Sequence, residues 1–337
     1  MNDVVTLHHG SGGSRMHALI DRIFISHFSN PVLNEKKDAA LLENTGSDVA
    51  FTTDTYVIDP IFFPGGDIGK LAVCGTLNDL AVSFARPVAL SVAFVLEEGF
   101  PLSDLDRIAR SMAAEAKDAG VPIVTGDTKV VPRGKCDRVF INTAGIGVVE
   151  KQVLERIRRT KPMPGDRILL SGTLGDHAVA IILAREAFRF HAQVSSDCAN
   201  LYPVISKLTA SSEKIRLMRD ITRGGLSSIL HEITDGTNLG IDISEENIPV
   251  RNEVRAVCEL LGFDPLDLAN EGKFIAIAGE EDADRLLKIL RESPGGENAA
   301  LIGRITRSHP GKVMMTTLTG GVRMVEMVSG EQLPRIC

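Results

Sequence analysis

A charged, proline-bearing stretch, RRTKPMPGD at residues 158–166, divides the chain into two halves, and each half mixes strand-like with helix-like segments. Two such halves in sequence predict two α+β domains, each with helices packed against a mixed sheet. In the first half, PVALSVAFVLEEG alternates as a half-buried strand does. PLSDLDRIARSMAAEAKDAG reads as a long helix, opened near Pro101 and stopped by Gly120. GDIGKLAVCGTLNDLAVSFARP reads as a helix whose small residues allow close packing. DVAFTTDTYVI reads as a strand with a tight polar break. VPIVTGDTKVV and DRVFINTAGIGVVE read as further strands joined by a turn at PRGKCD, and RMHALIDRIF as a short amphipathic helix ahead of them all.

After the connector, RILLSGTLGDHAVAIILAREAF reads as strand, glycine turn and helix. KIRLMRDITRGGLSSILHEITDGTNLG gives a turn carrying Asp220, then a helix from about Gly224. IDISE, KFIAIAGE, AALIGRI and KVMMTT read as strands, and RNEVRAVCELLG and EDADRLLKILRE as helices. The expected organisation is a glycine-rich segment and helix over 1–36, a first domain over 37–150 and a second over 160–310. A strand and flexible tail carrying Cys337 follow over 311–337. A doubly wound Rossmann fold is disfavoured, because no GxGxxG sits between a first strand and helix.

Composition narrows the function. With 337 residues, 44% of them hydrophobic, the chain can bury more than one core. A net charge of -7, no long basic run, two tyrosines and no tryptophan argue against a nucleic-acid partner. No apolar stretch reaches the length of a helical membrane span, and MNDVVTLHHGSGG lacks the marks of a signal peptide, so a cytoplasmic protein with no membrane partner is expected. The cysteines, at 74, 136, 198, 258 and 337, lie far apart with no CxxC pair, which disfavours a zinc knuckle or a disulfide scaffold. Four of them sit in mixed apolar segments and read as small hydrophobes; Cys337 is the exception.

Several segments look chemical. HGSGGSRMHALI places Gly10, Gly12 and Gly13 before a helix, where free backbone N–H groups attract phosphate, although no Walker GK[ST] follows. Asp54 in TTDTYVI, Asn78 and Asp79 in TLNDLA, and Asp127 in VTGDTKVV sit at turns or strand ends among small residues. Such carboxylates can converge on Mg2+, while a lone one is as readily a cap or turn residue. Asp127 and Lys129 are two apart, so an uninterrupted strand puts both on one face. SGTLGDHAVA supplies Asp176 and His177, and RDITRGGLSSILHEI supplies Asp220, Arg223, Gly224, Gly225 and His231. His231, in mid-helix, is at least as well explained by packing. LANEGKF supplies Glu271 in a strand-entry loop.

Together HGSGGSRMHALI, TTDTYVI, GTLNDLAV, VTGDTKVV, SGTLGDH, DITRGGLSSILHEI, NEGKF and the closing PRIC resemble the PurM-like, or aminoimidazole-ribonucleotide synthetase-like, superfamily of ATP-using enzymes. Within it they resemble the HypE family, the carbamoyl dehydratases of nickel-iron hydrogenase maturation. That resemblance implies a homodimer that takes a carbamoyl group from a HypF-type carbamoyltransferase onto the Cys337 thiol. It implies ATP-driven dehydration to a thiocyanate, with the cyano group passing to iron on a HypC-HypD complex. It matches Asp54, Asp79 and Asp127 to metal and ATP positions, with Asp220 extending that site, and Gly10, Gly12 and Gly13 to the segment that closes over nucleotide. Asn78, Asp176, Arg223 and Gly224 join the nucleotide-binding candidates. Glu271 is the candidate base, Lys129 its orienting or proton-relaying neighbour, and Cys337 the carrier. The chain departs from the family pattern at HGSGG, where HGAGG is more usual, and at Ile221, where a proline is. The rival readings are another ATP-dependent synthetase or kinase of the same fold, and a scaffold that only presents Cys337.

Overall fold

The first domain is built on a helix that is apolar on every side. In the computed structural model, which describes residues 4–6, 19–31, 48–185, 193–327 and 336, helix α2 (Ile68–Val82) leaves only Lys70 and Asp79 unburied. Asp67 caps it, its Oδ1 accepting from the N–H groups of Gly69 at 2.8 Å and Lys70 at 3.0 Å. A helix of this kind has to sit inside a domain. Here it packs against the sheet β1–β6–β4–β5 (Asp48–Tyr56, Val139–Val149, Arg86–Glu97, Ile123–Val131) and against α3 (Leu102–Ala119). Ahead of it, a π-helical turn at Ile20–Ile25 continues into Ser26–Phe28 to form α1, which covers the β4 side of the sheet, with Phe24 stacked on Phe94 at 5.0 Å. A small hairpin, β2 (Phe62–Phe63) and β3 (Gly66–Asp67), leads into α2.

Helix α3 shows why its boundaries were readable. Pro101 precedes its first turn in an extended conformation. Gly120 ends it at φ 67°, its N–H reaching the carbonyls of Ala116 and Lys117. Leu105, Ile108, Ala109, Met112 and Ala116 form its buried stripe. It carries the chain across the sheet, so β4 and β5 pair in parallel while β6 pairs antiparallel to both β1 and β4. The strand β1 shows no polar break. It runs nine residues in register with β6, and its alternating polarity reflects one face on α2 and one face outward.

The second domain wraps a seven-stranded mixed sheet in the order β13–β12–β9–β11–β7–β10–β8. Its strands are Val322–Val325, Val313–Thr316, Gly240–Ser244, Ala300–Thr306, Arg167–Leu170, Phe274–Ala278 and Ile215–Asp220. β10, lying between β7 and the edge strand β8, is buried on both faces. Phe274, Ala276 and Ala278 meet α6 (Tyr202–Ser211) and α9 (Glu280–Arg291), while Ile275 and Ile277 join the core of α7 (Gly225–Thr234). Three local expectations are corrected. The turn expected to carry Asp220 is the end of strand β8, α4 (Lys151–Arg159) stands before the connector, and Val322–Val325 within the expected tail is a sheet strand. Among the described residues no helix is long and apolar enough to cross a membrane.

The two domains share a core. Ala178–Ile181 of α5 (Asp176–Ala184) and Val254 and Val257 of α8 (Asn252–Leu261) pack into the same cluster as α2 and α3. Asn78 ties the junction. From α2 its side-chain amide donates to the carbonyls of Ala199 at 3.0 Å and Glu271 at 3.3 Å, and its Oδ1 accepts the Leu201 N–H at 2.8 Å. The amide, expected at a nucleotide, is spent on these backbone bonds and has no proton left for a ligand. Asn78→Ala strands a buried N–H and two carbonyls at the domain junction, and is expected to cost about 2–4 kcal/mol in a denaturant titration.

Candidate active site

Four acids meet where the domains join. Asp54 faces inward from β1, Asp79 comes from α2, Asp220 ends β8, and Glu271 sits in the loop before β10. With Tyr56, Gly75, Thr222 and Arg223 they line a recess of about 50 Å³. The local sequence explains the convergence. Thr52, Asp54 and Tyr56 alternate onto the inner face of β1, opposite Thr76 and Asp79 of α2. Thr52 Oγ1 donates to Asp79 Oδ2 at 2.7 Å, and the hydroxyls of Tyr56 and Thr76 each lie 3.3 Å from Asp54 Oδ2. Gly75 has to be a glycine, because a Cβ there would collide with the Tyr56 hydroxyl. Gly224, at φ 77°, turns the chain from Arg223 into α7.

The charges are crowded. Burial, followed by the charges of Asp220 and Asp54, pushes the Asp79 carboxyl up to about 7. Burial raises Asp220 above the usual carboxylate range, with the Asp54 charge adding to it. Glu271, only 4% exposed, is pushed well above its ordinary value by burial and then by Asp197, Asp220 and Asp54, with Arg223 opposing. Oε1 of Glu271 and Oδ2 of Asp197 are buried with no hydrogen-bond partner among the described residues. Orphaned carboxylate oxygens beside a recess mark a place where a ligand or a positive charge completes the site.

A short segment behind the recess holds it together. Asp197 Oδ1 accepts the Glu271 N–H at 3.0 Å. Ser196 Oγ lies 2.7 Å from His177 Nδ1 and accepts the Cys198 N–H at 3.1 Å. His177 Nε2 lies 2.7 Å from the carbonyl of Ile336, and Ile336 forms a β-bridge with Ile58, two residues beyond Tyr56. Ile336 is thus docked against His177 and Ile58, and is 7% exposed.

The other candidates fall elsewhere. Asp127 and Lys129 do share one face of an unbroken strand, but it is the outward face of β5, on the opposite edge of the sheet from Asp54. Within one chain Asp127 is therefore no partner of the Asp54–Asp79–Asp220 cluster. It lines a separate apolar cavity of about 100 Å³ with Phe24, Phe28 and Phe94. Lys129 does not reach Glu271 within the chain either, because the sheet lies between them. Asp176, at the start of α5, is buried, accepts the Thr173 hydroxyl and pairs with Arg251 at 3.3 Å, a structural role outside the recess. His231 bonds its own helix through the Ser227 carbonyl at 2.8 Å. Gly10, Gly12, Gly13 and Cys337 lie outside the described residues. Cys74, Cys198 and Cys258 are buried free thiols, and burial pushes Cys258 up to about 11, in keeping with small hydrophobes. The sequence reading missed Tyr56, Asp197 and Ser196. Tyr56 was legible from the two-residue spacing Thr52–Asp54–Tyr56, whereas the loop QVSSDCANL carried no spacing signal.

An acid whose pKa is raised by folding binds more protons folded than unfolded. Its contribution to stability falls as pH rises from about 4 through the folded value. Asp79→Asn is therefore expected to raise the melting temperature of the ligand-free protein by about 2–6 °C at pH 8, by less at pH 5 and not at all near pH 3, as read by thermal melts across that range.

The architecture matches known proteins. Residues 36–149 match the AIR synthase related protein N-terminal domain, and residues 163–316 match its C-terminal domain. A protein of Azotobacter vinelandii called carbamoyl dehydratase HypE is 50% identical over 336 residues, covering 100% of this chain and 98% of that protein. A crystal structure of the hydrogenase maturation protein HypE in complex with ATP is similar with a TM-score of 0.92 at 48% identity, covering 98% of this chain and 99% of that one. The structure of a HypE-HypF complex is similar with a TM-score of 0.78 at 44% identity, covering 92% and 100%. Two AIR-synthase-type domains and half-identical relatives along the whole sequence settle the affiliation: the chain belongs to the HypE family, the carbamoyl dehydratases of hydrogenase maturation.

Proposed function

We propose that the chain uses ATP to dehydrate a carbamoyl group carried on its own Cys337 thiol, leaving a thiocyanate that supplies cyanide to the iron of a nickel-iron hydrogenase. One observation carries the reading: the recess of crowded acids around Arg223, with an orphaned Glu271 oxygen, stands beside a docked Ile336, one residue from Cys337. The similarity to a HypE structure holding ATP supports the nucleotide. The overall change balances as thiocarboxamide plus ATP giving thiocyanate, ADP and phosphate, the amide oxygen leaving on the phosphate and both protons leaving nitrogen.

Hydroxide is a poor leaving group, and ATP, when bound, supplies the phosphoryl group that turns the carboxamide oxygen into a better one. Arg223 faces the phosphoryl charge. Asp54, Asp79 and Asp220 would hold Mg2+, which neutralises that charge. Burial, with their mutual repulsion added to it, lifts Asp79 to about 7, and the repulsion is what a cation would relieve. Among the described residues no group of three or more His, Cys, Asp or Glu side chains is placed to hold a metal by itself, so the ion would need phosphate oxygens to complete its ligands. Glu271 keeps its proton in the resting chain. It becomes a base once positive charge enters among its acidic neighbours, so proton removal from nitrogen waits for the nucleotide.

The partners follow the same reading. The HypE-HypF structure supports a HypF-type carbamoyltransferase as donor, and the family resemblance alone proposes a HypC-HypD complex as acceptor. We assign the homodimer contact to the outward face of the first sheet, where Val49 and Phe51 are 64% and 68% exposed beside Ile146 and Val148. Asp127 and Lys129 lie on that face and in this arrangement look toward the second copy, so their part in the site is played across the subunits. The location is cytoplasmic on this reading, in keeping with free, unpaired cysteines.

Two measurements test this. Protein carbamoylated on Cys337 is expected to lose the mass of one water from its last peptide after Mg-ATP is added. Glu271→Gln should bind ATP and retain the carbamoyl group, and no mass loss in the unaltered chain would sink the mechanism. Phe51→Lys is expected to convert a dimer to a monomer in sedimentation equilibrium; an unaltered chain that is already monomeric at micromolar concentration removes the dimer.

A further inference from the structure

We propose that His177 is a positioning residue for the reaction: it registers the arm that carries Cys337 by holding the backbone carbonyl of Ile336. The inference rests on the functional reading above. A carbonyl only accepts, so Nε2 carries the proton and donates across 2.7 Å. Nδ1 is then the acceptor for the Ser196 hydroxyl at 2.7 Å, and the tautomer is fixed from both sides. The ring is fully buried and stands edge-on to Phe63 at 5.6 Å, so it cannot turn away. Burial also lowers its pKa, against the Asp197 charge, and keeps the imidazole neutral as this tautomer requires.

The anchor on the other side is independent. Ile336 buries its side chain and pairs as a β-bridge with Ile58. The two grips fix both the depth and the orientation of the last peptide before Cys337. They are also tied to the base. Ser196, which orients His177, adjoins Asp197, which accepts the Glu271 N–H at 3.0 Å. The backbone N–H of Ser196 donates to the Pro64 carbonyl at 2.8 Å, which pins this segment to the first domain. One stretch of chain therefore sets the position of the arm and of Glu271 together. Because the substrate is tethered, its register replaces binding affinity, and an arm free to slide loses the benefit of proximity.

The test uses the full chain with Cys337 carbamoylated by cyanate, HNCO adding across the S–H bond to give the thiocarboxamide. Conversion is followed by mass spectrometry of the last peptide after Mg-ATP. Docking is followed separately, as the rate at which iodoacetamide alkylates Cys337 before loading. His177→Ala is expected to slow dehydration about 10–100-fold and to speed alkylation about 10-fold or more. His177→Gln, which keeps a side-chain N–H donor, is expected to recover much of both. Should His177→Ala fail to fold, Ile336→Gly tests the same latch from its other anchor, by removing the side chain that buries beside Ile58, and is expected to move both rates in the same directions. Alkylation and dehydration within about twofold of the unaltered chain, for whichever of these variants folds, overturn the proposal while leaving dehydration itself standing. If the unaltered chain fails to dehydrate, the functional reading falls, and the alkylation rates alone then support or overturn the latch.

Discussion

The site depends on one buried amide. Asn78 sits on the central helix of the first domain and makes its bonds to the backbone of the second, at Ala199, Leu201 and Glu271. A side chain that grips backbone fixes the chain whatever residues surround it. These bonds bring the Glu271 loop against α2 and so against Asp79, the next residue in sequence. Without them the apolar surfaces of α5 and α8 would still seek the shared core, since burial is non-directional. The angle at which Asp220 and Glu271 meet Asp54 needs directed bonds.

That angle creates an electrostatic conflict which the resting protein tolerates. Three aspartates and a glutamate share a small recess with one arginine, and the raised carboxyl groups of Asp79, Asp220 and Glu271 measure the cost. A fold selected for stability alone would replace Asp79 with an amide. On the proposed reading that carboxylate is a ligand for a cation, which links cation affinity to relief of the repulsion. Burial, with the same crowding added to it, raises the Glu271 carboxyl well above its ordinary value, which is what suits it to the proposed role of base.

Much of this was legible in the sequence. Gly120 ends its helix where the pattern placed it, and the alternation of β4 reported its sheet. Asp54, Asp79, Asp220 and Glu271 converge as turn and strand-end acids among small residues suggested. The misreadings share a cause. Asp127 and Lys129 were placed on one face correctly, but spacing cannot say which face of a sheet looks inward. That depends on where α2 and α3 pack, a tertiary fact. Asn78 looked like a ligand contact because a polar residue on an apolar helix needs a partner, and local sequence does not say whether that partner is backbone or nucleotide. The loop that orients His177 and Glu271 is irregular and has no period to read.

The bond from His177 to the Ile336 carbonyl has a consequence for directionality. It grips the peptide backbone and never touches the cargo on the neighbouring thiol. Such a grip has no means of telling an empty arm from a loaded one, or a carbamoyl group from a cyano group. In the proposed cycle the arm therefore returns to the same berth at every stage, and discrimination between stages has to come from elsewhere. On that reading nucleotide occupancy decides whether a docked arm is acted on, and whichever protein competes for the undocked arm decides what it carries next. The enzyme is a fixed stop on a route whose order is kept by its visitors.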